Sequence, residues 1–148
     1  MYCSIENILD QISNTSIAEC LGEPNDTGNE WQERVTKYIQ SASDEIDGYI
    51  SNRYKTPLQI VPNIIKEKCV EISIFKILCR KGIKKDSDES IWVTRYNNAI
   101  AFLKDVNAGK IELGEITPNG GSDISSDIGM SFVSPKANIT DNFWKGFL

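Results

Sequence analysis

The chain has 148 residues, the size of one ordinary domain, and at 40% hydrophobic and 25% charged residues it has enough apolar surface to bury a core. Its net charge of −5 and sequence pI of about 4.8 argue against broad non-specific binding to duplex DNA, leaving room only for a local basic patch. It contains no histidine, which removes the commonest general base and the commonest metal ligand.

Ser4 is a candidate cap for a first short helix over 5–12, with Ile5, Ile8, Leu9 and Ile12 on its apolar side. A second short helix is predicted over 16–21. Gly22 then stands where a left-handed C′ residue is wanted, and Pro24 blocks continuation. The loop GEPNDTGN over 22–29 ends in Asn29, a candidate cap for the longest periodic stretch of the chain.

That stretch, EWQERVTKYIQSASDEIDGYISNRY over 30–54, places Trp31, Val35, Tyr38, Ile39, Ala42, Ile46, Tyr49 and Ile50 on one helical stripe. A helix of this length spans roughly 35 Å at about 1.5 Å per residue. Its other face carries Glu33, Arg34, Lys37, Gln40, Ser43, Asp44 and Asp47. Gly48 costs the helix up to about 1 kcal/mol relative to alanine, which suggests close packing there. Pro57 biases Thr56 to an extended conformation, so the helix is expected to stop near Tyr54. The link KTPLQIVPN offers Leu58, Ile60 and Val61 to the core.

A fourth helix is predicted over 64–80. Ile65, Cys69, Ile72 and Phe75 form its stripe, widened by Ile64, Val70, Ile74, Ile77 and Leu78, as in a central helix touched on more than one side. The cations Lys76, Arg80 and Lys81 near its end complement the helix dipole. A fifth helix is predicted over 90–108, capped by Asp86 or Asp88 and closed by Gly109, with Trp92, Tyr96, Ala99, Ile100, Leu103 and Val106 on its stripe. From Gly109 onward periodicity fades. GKIELGEI reads as a short strand or an extended arm, and Pro118-Asn119-Gly120-Gly121 as a turn. The chain closes on Phe143, Trp144, Phe147 and Leu148, an aromatic cluster that either docks on a partner or packs back on its own core. The resulting architecture is all-α: a compact helical bundle around one long amphipathic helix, over 1–109, followed by an extended, partly β or flexible arm over 110–148.

Cys3, Cys20, Cys69 and Cys79 form no C-x-x-C pair. Cys69 and Cys79 lie about 15 Å apart by helical rise, too far for a disulfide, so the four are read as small buried hydrophobes in a reducing compartment. The N-terminal MYCSIENILDQI lacks a basic region followed by an apolar core, so no signal peptide is expected, and no apolar run approaches about 18 residues. Asp26-Thr27-Gly28 matches the aspartic-protease triplet but sits in a polar loop before a helix, where a turn is the better reading. The acids after Lys85 resemble the start of a calcium loop and fail at Ile91 and Asn97, where glycine and glutamate are required. Asp44 and Asp47 share a helix face, as exposed acids commonly do. No phosphate loop, nucleophile elbow or zinc pattern occurs, so neither enzymatic activity nor a cofactor or metal is expected.

Five segments carry a resemblance to a known family: MYxSIENI at 1–8; ASDEIDGYIxxRYxxPL at 42–58; Val61-Pro62 with Ile64, Ile65, Cys69 and Ile72; RYNNAIAFL at 95–103 with Val106, Gly109 and Lys110; and DNFWKGF at 141–147. Together they resemble the small head–tail connector proteins of Mu-like phages and prophages. The resemblance covers nearly the whole chain, least well over 115–138, and its most specific part is the 42–58 block. It implies a ring under the portal, twelvefold by analogy, that extends the DNA channel and docks the tail. The implied partners are further copies of the chain, the portal protein and a tail-side connector or terminator, with DNA sliding through unbound and no membrane involved. The implied location is the virion neck, after assembly in the host cytoplasm.

Within that reading, Trp31, Tyr49, Arg53, Phe143, Trp144, Phe147 and Leu148 are candidate assembly contacts, and Asp44, Glu45 and Asp47 candidate lumen-facing acids. For Arg53 an intrachain anchor on helix-terminal carbonyls is an equal reading, and for Tyr54 packing on Pro57 and Leu58 is the preferred one. The competing readings, in order, are a small DNA-binding regulator with a helix-turn-helix over 5–21 or a non-structural assembly factor, and last a hydrolase using Asp26. Residues 5–21 carry Glu6, Asp10 and Glu19 and neither lysine nor arginine to meet phosphate.

Overall fold

A computed structural model describes residues 1–26, 28, 30–83, 89–114 and 116–119. Among the described residues five helices follow one another: α1 (Ile5–Leu9), α2 (Asn14–Leu21), α3 (Glu30–Ile50), α4 (Asn63–Lys81) and α5 (Ser90–Asn107). No strand occurs among the described residues, so the fold is an all-α bundle, and 110–114 take the non-strand alternative.

Local chemistry explains most helix ends. Ser4 and Asn7 form a reciprocal capping box, the Ser4 hydroxyl accepting from the Asn7 N–H and the Asn7 amide oxygen accepting from the Ser4 N–H at 3.0 Å. Helix α1 stops at Leu9, three residues short of expectation. Helix α2 starts earlier than expected because Ser13 caps it, accepting from the Ser16 N–H at 3.2 Å. Gly22 is not left-handed: its φ is −64° and ψ 143°. Glycine is needed there for a different reason, since a Cβ would lie 2.5 Å from the Ala18 carbonyl oxygen, which accepts the Gly22 N–H at 2.6 Å. Hydrogen-bonded turns continue α3 beyond Ile50, with the Arg53 and Tyr54 N–H groups both donating to the Ile50 carbonyl at 2.9 Å. Glu89, in the helical region, precedes α5 and gives no side-chain cap; Asn29, Asp86 and Asp88 lie outside the described residues. Gly109 closes α5 at φ +77°, the left-handed geometry that suits glycine.

Helices α3 and α4 share the centre. Each packs against the other and against α1, α2 and α5. The buried line of α3 is Val35, Ile39, Ala42, Ile46 and Ile50; that of α4 is built on Ile65, Cys69, Ile72 and Ile77. Ser43, expected on the polar face, is 2% exposed. It is accommodated because its hydroxyl donates to the Ile39 carbonyl at 2.9 Å and accepts the Tyr2 N–H at 3.0 Å. Gly48 is exposed and a Cβ there would meet nothing within 4 Å, so no close packing offsets its cost. In the 55–62 link Leu58 is buried and Val61 half-buried, whereas Ile60 is 60% exposed.

The first residues strap across the bundle. The Tyr2 hydroxyl donates to Asp47 and accepts the Leu58 N–H at 2.8 Å, and the ring is buried. Burial and the Asp47 carboxylate both push the Tyr2 phenol above its ordinary pKa. Cys3 and Cys69 are buried, as expected, and Cys20 likewise; Cys79 is exposed instead, near the polar end of α4.

Candidate functional site

The most specific segment of the sequence, the 42–58 block, meets the chain after α5 at one end of the bundle. Arg53 and Tyr54, just past α3, face the chain after α5. Tyr54 is fully buried, and its hydroxyl accepts the Leu113 N–H at 3.0 Å. The Arg53 guanidinium donates to Glu112 at 3.2 Å, and the Arg53 carbonyl accepts the Asn119 N–H at 2.5 Å. Gly109 lies against this arginine: a Cβ at 109 would stand 1.9 Å from Arg53 Nη1. Arg53 therefore clasps Glu112 and Asn119 to the bundle through its own chain, and Leu113 is buried beside them. Its Nε is buried without a hydrogen-bond partner. Tyr54 is an intrachain anchor, though its polar contact is Leu113 rather than the 57–58 turn.

The other candidates are distributed along α3. Trp31 and Tyr49 are half-buried and pack against the core. Asp44 is exposed, and its carboxylate accepts from the Gln40 amide at 2.7 Å. Glu45 is half-buried, paired with Lys76 at 2.8 Å and accepting from the Tyr96 hydroxyl at 2.9 Å. Burial and that bond push the Tyr96 phenol up to about 12. Tyr96 in turn stacks on Phe75 with ring centroids 4.1 Å apart. Asp47 is engaged by Tyr2. Phe143, Trp144, Phe147 and Leu148 lie outside the described residues.

Asp26 serves the turn before α3. Its two carboxylate oxygens take a fork from Arg34, at 2.6 and 2.5 Å, and one accepts the Glu23 N–H at 2.8 Å. Arg34 also donates to the Leu21 carbonyl at 2.7 Å and so closes the end of α2. The Arg34 bond, then the Glu23 N–H, hold the Asp26 carboxyl well below the usual carboxylate range. A depressed carboxyl stabilises the fold above its unfolded pKa of about 4 and stops doing so as pH falls toward its folded value. Asp26→Asn is therefore expected to lower Tm at pH 7, and the gap to the wild-type chain to shrink steadily below about pH 4. A gap independent of pH would mean that the turn, not the charge, carries the effect. The cations at the end of α4 are likewise committed, Arg80 to Glu23 at 3.0 Å and Lys81 to Glu19 at 3.1 Å. These pairs fit the dipole reading of that end better than a nucleic-acid patch.

Two open grooves flank α4. One, of about 530 Å³, runs between α1, α4 and α5 past Asp10, Lys66, Glu67 and Trp92, with the Arg95 guanidinium 4.6 Å from the Trp92 ring centre. The other, of about 590 Å³, lies between α3 and α4 along Lys37, Tyr38, Phe75 and Arg80. Ile60 and Ile64, both expected in the core, are exposed: Ile60 sits on a link without a helical period, and Ile64 in the first turn of α4, before the other helices cover that face; Ile91 and Val93, which lie off the α5 stripe, are exposed too. Among the described residues no three His, Cys, Asp or Glu side chains gather as metal ligands would, and no helix is long and apolar enough to cross a membrane.

The chain matches the family model described as Bacteriophage Mu, Gp36 over residues 2–127, a span that includes all five helices and the Arg53 clasp. It is similar to the Mu-like prophage FluMu protein gp36 of Haemophilus influenzae, with 26% identity over 115 residues, 78% of this chain and 76% of that protein. It is also similar to gene product J of Escherichia phage Mu, with 25% identity over 114 residues, 76% of each chain. The chain belongs to the bacteriophage Mu Gp36 family.

Proposed function

We propose that this protein is a structural component of the phage neck, a head–tail connector whose copies form a ring between portal and tail and extend the DNA channel. The observation that carries this reading is the family match over 2–127, which joins nearly the whole bundle to phage Mu proteins. By analogy the ring is twelvefold, its partners are the portal and a tail-side connector or terminator, and its place is the head–tail junction. Such a part works without catalytic residues, which suits a chain without histidine whose Asp26 is spent on Arg34. A net charge of −5 suits a channel through which DNA slides without sticking. Of the three acids proposed to face the lumen, Asp44 is the most exposed, while Glu45 and Asp47 are held by Lys76 and Tyr2. Trp31, Tyr49, Arg53 and the closing Phe143, Trp144, Phe147 and Leu148 remain the proposed contacts between subunits or with the tail, since aromatic clusters are favoured at interfaces.

The test is compositional. Particles induced from the source host are purified and this polypeptide is quantified by mass spectrometry against the portal protein. A ratio near one copy per portal subunit is expected. Absence from intact, DNA-filled particles would sink the connector reading and favour a non-structural assembly factor or a regulator.

A further inference from the structure

The four cysteines are free thiols, and two of them touch. Cys3, on the strap before α1, and Cys69, on the inner face of α4, bring their sulfurs to 3.2 Å across 66 residues of sequence. A disulfide bond is about 2.05 Å long, so closing it asks for a movement of roughly 1 Å. The strap is extended chain outside any helix and can make that movement, whereas Cys69 is fixed in mid-helix. The surroundings favour Cys69 as the thiolate that closes the bond. The Cys3 thiol donates to Cys69, and the Ser43 hydroxyl lies 3.6 Å from the same sulfur. These bonds, with help from Ser73 and the Tyr2 N–H, hold the Cys69 thiol below its ordinary pKa despite burial, while the bond to Cys69 and burial raise Cys3.

We infer that Cys3 and Cys69 form an intramolecular disulfide site that locks the N-terminal strap onto α4 when a low-molecular-weight disulfide is present. Exposure sets the order of events. Cys3 is 9% exposed and Cys69 0%, so the external disulfide RSSR is met first at Cys3. The Cys3 sulfur attacks one sulfur of RSSR, forming Cys3–S–SR and releasing RS⁻. The Cys69 thiolate then attacks the Cys3 sulfur, forming the Cys3–Cys69 bond and releasing a second RS⁻. The two protons lost by the protein thiols end on the two RS⁻, and the two electrons reduce RSSR to two RSH. Cys20 is buried away from this pair, and exposed Cys79 reacts with RSSR on its own without joining the Cys3–Cys69 bond. The site works in the isolated chain and does not depend on what that chain assembles into.

The full-length chain, purified reduced, is exposed to oxidised glutathione and followed by intact mass, peptide mapping without reductant and thermal unfolding. Expected are a linked peptide pair containing Cys3 and Cys69 and a Tm rise of about 10 °C, reversed by dithiothreitol, with a net mass loss of two hydrogens once any glutathione carried by exposed Cys79 is subtracted. Cys20→Ser/Cys79→Ser is expected to form the same linkage with a mass loss of two hydrogens and no adduct, and Cys69→Ser to stop at a glutathione adduct that peptide mapping places on Cys3. Stable glutathione adducts in the wild-type chain without the linked peptide, a linkage involving Cys20 or Cys79 instead, or an unchanged or lowered Tm on oxidation would each overturn the assignment.

Discussion

Replacing Ile72 by alanine is expected to lower the free energy of unfolding by about 3–4 kcal/mol, in the upper part of the usual range for a buried isoleucine. Ile72 is fully buried on α4, and α4 touches every other helix of the bundle. That position sets the magnitude. Three methylene-sized groups leave the core, and the cavity cannot close by a shift of α4 toward one neighbour without opening a gap against another. The loss is a large fraction of the roughly 5–15 kcal/mol that holds a domain folded. Urea unfolding followed by circular dichroism checks it, with the midpoint falling and the slope unchanged. Ile64, on the same helix but 36% exposed, supplies the control, and its alanine variant is expected to cost under about 1 kcal/mol. A loss below about 1.5 kcal/mol at Ile72 would mean that the bundle centre collapses more freely than its contacts imply.

Gly109→Ala is expected to cost about 2–3 kcal/mol from two sources. At φ +77° an L side chain is strained, and its Cβ would enter the space held by Arg53 Nη1. The guanidinium must leave, and the Glu112 pair and its cover over the 109–113 chain go with it. Arg53→Ala removes the obstruction but not the backbone strain. The pair is mostly solvent-exposed on the Glu112 side, so Arg53→Ala alone is expected to cost only about 1 kcal/mol, chiefly through lost packing of its stem. The double variant should then fall short of the sum of the singles by about 1 kcal/mol. Strict additivity in this cycle would show that the arginine makes room without cost and that backbone strain is the whole effect.

Helices α3, α4 and α5 were legible because each carries a long apolar stripe, and Ile39, Ile46, Ile65, Ile72 and Leu103 are buried where the period puts them. Family membership was legible for a related reason: the 42–58 block lies within the matched span. The failures share a cause. Ser43 reads as polar until Tyr2 arrives from 41 residues away to bond it. Gly22 is required by the Ala18 carbonyl rather than by its own φ. Ile60 follows the pattern of its neighbours yet sits on the outer side of a link with no period to orient it. The Arg53 clasp and the Cys3–Cys69 contact span 59 and 66 residues, and no local spacing encodes them. Glu45 and Asp47 looked free because their partners, Lys76 and Tyr2, lie on other segments.

The strap formed by the first residues sets a timetable for folding. Helical bundles fold fast because most of their contacts are local. Tyr2 instead meets Ser43, Asp47 and Leu58 across 41, 45 and 56 residues. Closing loops of that length costs chain entropy before any of those bonds can form, so α3 must be in place before the strap has a surface to lie on. A ribosome adding about 5–20 residues per second separates Tyr2 from Leu58 by roughly 3–11 s. Through that interval Tyr2 and the apolar side of α1 wait for partners, and the Arg53 clasp, which needs Asn119, closes later still.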